Sequence, residues 1–135
     1  MIEIITNERL AYSPAFVFVM ENFVELLKKG YSEHSICIDN SMMVTYAVTD
    51  MAVVGACVYE LNRVKNQAWI YTAGVDEKYQ GQGIYDKIYK EVEAVCKSEG
   101  MRVLNSNIHV DNTSMIMSAA KNDRELSYYR STKLL

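Results

Sequence analysis

The residues best equipped for chemistry lie between Val75 and Ile88, in the stretch VDEKYQGQGIYDKI. A β-branched and aromatic run, Trp69-Ile70-Tyr71-Thr72, leads into this polar, glycine-rich turn, and an amphipathic pattern leaves it. Gly81 and Gly83 lack a Cβ, so the backbone there can curl tightly and approach a ligand closely. The helix that follows opens with N–H groups that have no partner inside it, and its dipole makes that end positive. Strand, glycine turn and helix start, in that order, form a cradle for phosphate. A lone Gly-x-Gly can equally do no more than turn the chain, so its neighbours must decide.

Val75, Tyr79, Gln80, Gly81, Gly83 and Ile84 together resemble the acetyl-CoA signature of the GNAT superfamily of N-acetyltransferases, Val-x-Pro-x-Tyr-Arg/Gln-Gly-x-Gly-Ile-Gly/Ala. Two positions depart from it. Glu77 stands where proline only stiffens the loop, and Tyr85 where glycine or alanine is usual. The Tyr85 ring must therefore turn away from the pyrophosphate or offer its hydroxyl to it. The resemblance implies acetyl-CoA (CoA) as cofactor, lying in a slot between two strands that splay apart. Backbone groups of Ala73, Gly74 and Val75 would bond its pantetheine arm, and Gln80, Gly81, Gln82, Gly83, Ile84 and Tyr85 would surround its pyrophosphate. Asn112 matches a family asparagine that contacts pantetheine, and it equally suits the cap of a helix starting at Thr113. Lys78 and Lys87 could meet the phosphates or simply be solvated.

Acetyl transfer to an amine makes three demands. The amine must be neutral, although an alkylamine has a pKa of about 10.4. A developing oxyanion needs a donor, for which a backbone N–H near Val75 is suited. The departing thiolate benefits from an acid. The family's tyrosine position falls on Ala119, and its strand carboxylate falls among Trp69–Tyr71, where none is present. Tyr128 and Tyr129 are the replacement candidates as acid, against an ordinary packing role in a terminal strand. Glu60 is the candidate base, directly or through water, against a solvated strand end. His109 could relay a proton, and Tyr71 could line the acceptor pocket.

The elements that must hold these residues can be read from periodicity. Met1–Thr6 reads as a strand. Ser13-Pro14 marks a helix start, and an apolar run from Phe16 to Leu27 continues to Gly30 as its stop. Met42–Val48 and Met51–Asn62 read as strands about a Thr49-Asp50 turn, and Ala68–Val75 follows them. A helix over Gly83–Ser98 carries Ile84, Ile88, Val92 and Val95 on one side. Met101–Val110 is the next strand, Ser114–Lys121 a short helix, and Arg124–Leu135 one long terminal strand. This is α/β (α+β): a mixed, mostly antiparallel, GNAT-like sheet flanked by helices, in a single domain over residues 1–135.

A net charge of −3 argues against nucleic acid or a membrane surface as partner. The longest apolar run, Met51–Tyr59, is too short to span a bilayer, and no leader is evident, so a cytoplasmic protein is expected. Cys37, Cys57 and Cys96 are odd in number and widely spaced, which suggests neither disulfides nor zinc. The dense apolar first helix and an unpaired terminal strand suggest a homodimer. The leading expectation is an acetyl-CoA-dependent N-acetyltransferase acting on an amine. The alternative is a GNAT-fold module that binds CoA or a protein without turnover. An unrelated nucleotide-binding domain ranks last, because the Walker lysine and three-glycine spacing are missing.

Overall fold

The computed structural model describes residues 1–31, 38–108, 112–127 and 130–135, without the side chains of 113–114, 125–127 and 130–132. In chain order the elements are β1 (Glu3–Asn7), α1 (Phe16–Lys28), β2 (Met43–Thr49), β3 (Ala52–Asn62), β4 (Gln67–Val75), α2 (Ile84–Ser98), β5 (Val103–Asn107), α3 (Thr113–Lys121), β6 (Glu125–Ser127) and β7 (Arg130–Leu134). One sheet joins all the strands in the order β1-β2-β3-β4-β5-β7-β6. Every pairing is antiparallel except that of β4 with β5.

Period-two alternation along β3 sends Cys57 and Tyr59 to one face of this sheet and Ala56 and Val58 to the other. The first face packs on α2 through Ile84, Ile88, Tyr89, Val92 and Cys96. The second packs on α1 around Val19, with Leu10 and Val44. The central strands are thus covered on both sides, as their near-continuous apolar runs require.

Three sequence expectations need correction. The first helix begins two residues later than Ser13-Pro14 implies: Ser13 Oγ accepts from the Ala15 N–H at 2.9 Å, which closes a turn ahead of the helix. The β2–β3 turn is Asp50-Met51 rather than Thr49-Asp50. Both have positive φ (49° and 64°), the mirror-image turn that suits strand twist. The largest correction is the tail. It forms a hairpin, β7 inserting between β5 and β6, so it supplies its own edge strand and that argument for a dimer falls. The other argument keeps its basis, because Val17 and Val24 of α1 are exposed. Cys57 and Cys96 are buried free thiols. Cys37 lies outside the described residues.

Candidate active site

β4 and β5 pair from Gln67–Val103 to Ile70–Ser106, and β4 then continues to Val75 without that neighbour. A parallel pair that parts halfway leaves a V-shaped gap with Ser106 at its crotch. On the far side, β4 stays bonded to β3, and the Asp76 N–H reaches Val54 O at 2.7 Å. Alternation therefore turns the backbone groups of Ala73 and Val75 into the gap. Side chains take up both carbonyls: Asn22 of α1 donates to Ala73 O at 3.3 Å, and Gln80 Nε2 donates to Val75 O at 3.0 Å. The Asn22 carboxamide lies so close over Gly74 that a Cβ there would overlap it.

At the open end of the gap sits the glycine turn. Gly81 and Gly83 have φ of +81° and +76°, the left-handed region, with open space where a side chain would project. Gly83 is the N-cap of α2 and no side chain caps that helix, so its first N–H groups face the cleft unsatisfied. Gln80, Gly81, Gly83, Ile84 and Tyr85 line an outer cavity of about 620 Å³ together with Ala73, Gly74, Val75 and Asn112. Gln82 is exposed and does not line it, and Ile84 contributes backbone only, its side chain being buried in the core. Asn112 serves as the α3 cap, accepting from the Met115 N–H at 3.4 Å, and it lines the cleft as well. Lys78 and Lys87 do not line the cleft. Its lysine is Lys29, from the end of α1.

An inner cavity of about 50 Å³ continues to the crotch, between Tyr71–Ala73 and Ser106–Ile108, with Tyr85 and Arg124 on its wall. Tyr85 turns inward. Burial pushes its phenol well up, and the neighbouring Arg124 guanidinium pulls it partly back. Arg124 is 5% exposed, donates from Nη2 to Ser106 Oγ, and stacks 4.8 Å above the Tyr89 ring. Among the described residues, its Nε and Nη1, and the buried Thr72 Oγ1 on the same wall, have no hydrogen-bond partner.

The candidate catalytic residues are distributed unevenly. Tyr128, Tyr129 and His109 lie outside the described residues. Ala119, on the inner side of α3, is fully buried. Glu60 is exposed and outside both cavities, yet it stands directly across from Trp69 in the β3–β4 register. That is where the family carboxylate is missing. Glu60 is also close enough to Tyr71, on the inner cavity, for its charge to add to the effect of burial in raising that phenol. Sequence reasoning missed Asn22, Lys29 and Arg124. Only Asn22 left a signal, as a lone amide among apolar helix residues.

The wall formed by α2 and α3 is held by Asp86. Its carboxylate accepts from Lys121 Nζ at 2.6 Å, from Ser118 Oγ at 3.3 Å and from Asn122 Nδ2 at 3.3 Å. The Lys121 bond is the main reason its pKa is lowered. A depressed carboxylate stabilises the fold above its unfolded pKa and loses that contribution as pH falls through the folded value. Asp86→Asn should therefore lower the melting temperature at pH 7, and the gap to wild type should close below the ordinary carboxylate range. Because Lys121 is 70% exposed, the pair contributes no more than about 1 kcal/mol. Thermal melts of both proteins across acid pH measure this, and a gap that stays constant would contradict it.

No described helix is long and apolar enough to cross a membrane. Among the described residues, no cluster of histidine, cysteine and carboxylates could hold a metal. No curated protein matches the sequence significantly. Solved structures do match in fold. A GCN5-related N-acetyltransferase from Kribbella flavida superposes with a TM-score of 0.76 at 14% identity, over 99% of this chain and 98% of that one. A GNAT-family acetyltransferase from Streptococcus pneumoniae gives 0.76 at 12% identity, over 98% and 99%. A Bacillus anthracis acetyltransferase in complex with acetyl coenzyme A gives 0.63 at 16% identity, over 70% of this chain and 62% of that one. The model of the acetyltransferase (GNAT) family matches residues 8–119, most of the sequence, and the chain belongs to that family.

Proposed function

We propose that this chain is a single-domain, acetyl-CoA-dependent N-acetyltransferase that acetylates an amine. One observation carries the reading: the gap between β4 and β5 opens at the uncapped start of α2, and the cavities at the two ends adjoin, sharing Ala73, Tyr85, Asn112 and Met115. The residues present fit the cofactor. Open left-handed glycines and unsatisfied first-turn N–H groups suit a pyrophosphate, and Lys29 adds positive charge at the rim. The gap-facing backbone of Ala73 and Val75 suits an amide-bearing arm. Asn22 and Gln80 now occupy those two carbonyls, and they would give way to the arm or bracket it.

Acetyl-CoA supplies an acyl group already activated as a thioester. The chain's own residues then orient and polarise. The Val75 N–H, turned into the gap, is placed to donate to a carbonyl oxygen as it gains charge. Glu60 and Tyr71 mark the acceptor side on the α1 face, and Glu60 would take the amine's proton directly or through water. Tyr128 and Tyr129 are the proposed acids. Holding the amine in line with the thioester can itself lower the barrier by roughly 7–11 kcal/mol.

The second reading, a CoA-binding module without turnover, rests on Ala119, which cannot donate a proton. Native mass spectrometry of the purified protein with acetyl-CoA tests the cofactor. A panel of amines, polyamines, aminoglycosides and peptide amino termini, scored for CoA release, tests turnover. Binding with release supports the enzyme, binding without release supports the module, and no binding overturns both.

A further inference from the structure

A buried charge normally has a counter-charge, because desolvating an ion alone is expensive. Arg124 breaks that pattern. It is the residue just past α3, and its backbone N–H closes that helix on Ala119 O at 2.9 Å. Its side chain lies 95% buried between the sheet and α2, on the wall of the inner cavity. Among the described residues, the groups that face it are the Ser106 hydroxyl on β5, the Tyr85 phenol and the Tyr89 ring on α2, and the Cys57 thiol on β3. None of these is a carboxylate, although Glu93 stands beside Tyr89 and Asp86 beside Tyr85 on the same helix. The Tyr89 ring offsets part of the cost by cation–π attraction. Nε and Nη1 are left as charged donors without acceptors, at the crotch where β4 and β5 part.

We infer that Arg124 is a catalytic residue for this transfer, an anion site at the crotch that holds the thiolate of CoA as the acetyl group leaves it. The inference rests on the acetyltransferase reading above. In the transfer a C–N bond forms and the C–S bond breaks. The electron pair of that bond leaves on sulfur, and the amine's proton goes to Glu60 or water. The outer cavity at the glycine turn and the inner one at the crotch share Ala73, Tyr85, Asn112 and Met115 on their walls, so an arm anchored at the turn would direct its thioester end towards Arg124. A guanidinium presenting two free N–H donors to sulfur stabilises the anion without giving up a proton. It answers the absence of an acid at Ala119 from the same end of the same helix.

The test reads the ligand rather than turnover. CoA is titrated with pH, free and bound to the wild-type protein, and the thiolate is followed by its ultraviolet absorbance. A free thiol titrates near about 8.5. Bound to the wild type it should titrate at least about one pH unit lower, a tenfold shift towards thiolate. Arg124→Gln should remove the shift, and Arg124→Lys should keep part of it. Desulfo-CoA, which has no sulfur, should bind wild type and Arg124→Gln within about threefold of each other. A bound thiol that titrates at or above the free value in the wild type overturns the inference, whether or not the variants fold. In that case the acetyltransferase reading stands, because CoA has bound. If calorimetry shows no CoA binding, that reading fails and takes this inference with it.

Discussion

Gly83→Asp should weaken acetyl-CoA binding by about a hundredfold or more, roughly 2.8 kcal/mol, while the protein stays folded. Two effects add. A carboxylate at the N-cap of α2 places a negative charge where the unsatisfied N–H groups and the dipole would receive a pyrophosphate. A side chain at that position also enters the cradle, which is now open space. The fold should tolerate the change because no protein atom lies where the new Cβ projects. The cost of a left-handed residue, about 1–2 kcal/mol, is smaller for aspartate than for most. Gly83→Val supplies the control for charge: it fills the cradle without repulsion and should lose binding too, though with more backbone strain. Calorimetry with acetyl-CoA and a melting curve for each protein separate binding from stability. Wild-type affinity in both variants would show that the phosphate cradle is elsewhere.

The strand, glycine turn and helix were legible in the sequence because their requirements are local. Positive φ at two glycines, a strand before them and Ile84, Ile88 and Val92 at helical spacing after them all lie within a short stretch. The core faces were legible for the same reason, through alternation along β3 and periodicity along α2. The tail was not. Between Glu125 and Leu134 there is no glycine, asparagine or proline to mark a turn, so one strand and a hairpin look alike. What settles the matter is a tertiary vacancy, the edge of β5 opposite β4, which β7 fills. Arg124 was hidden for a related reason. It sits inside a polar run, Lys121-Asn122-Asp123-Arg124-Glu125, that any pattern reads as solvated, and only its place between Tyr89 of α2 and Ser106 of β5 buries it. Glu60 gained meaning through register alone, since 9 positions of chain separate it from Trp69 and one ladder step joins them.

Register also bears on which chemistry the family's usual residues leave behind. The sheet brings a carboxylate, Glu60, opposite Trp69 from β3 instead of β4, and the proposed base would then come from the neighbouring strand. The acid function has two separate candidates: the tyrosines of the tail, and the guanidinium at the crotch, which needs no proton. The carboxylate beside Tyr71 and the buried cation beside Ser106 lie on opposite faces of the sheet, flanking the gap between β4 and β5. The proposed turnover would give each of them a role.

Glu60→Gln should then lower kcat/KM for the amine acceptor by about a thousandfold at neutral pH, while leaving acetyl-CoA affinity unchanged. The change keeps size and polarity at an exposed position, so stability should move by less than about 0.5 kcal/mol. The pH profile gives a sharper reading than the rate. If Glu60 takes the proton, the acceptor can bind as its ammonium ion, and the wild-type rate stays level across neutral pH. Without that base the amine must arrive already neutral. The variant's rate should therefore climb about tenfold for each pH unit towards the amine's own pKa, near about 10.4 for an alkylamine. At high pH the two profiles should converge, which a loss of structure could not produce. A wild-type profile that already climbs tenfold per unit, with Glu60→Gln superimposed on it, would remove Glu60 from the mechanism. Catalysis would then rest on orientation, the Val75 N–H and the groups at the crotch.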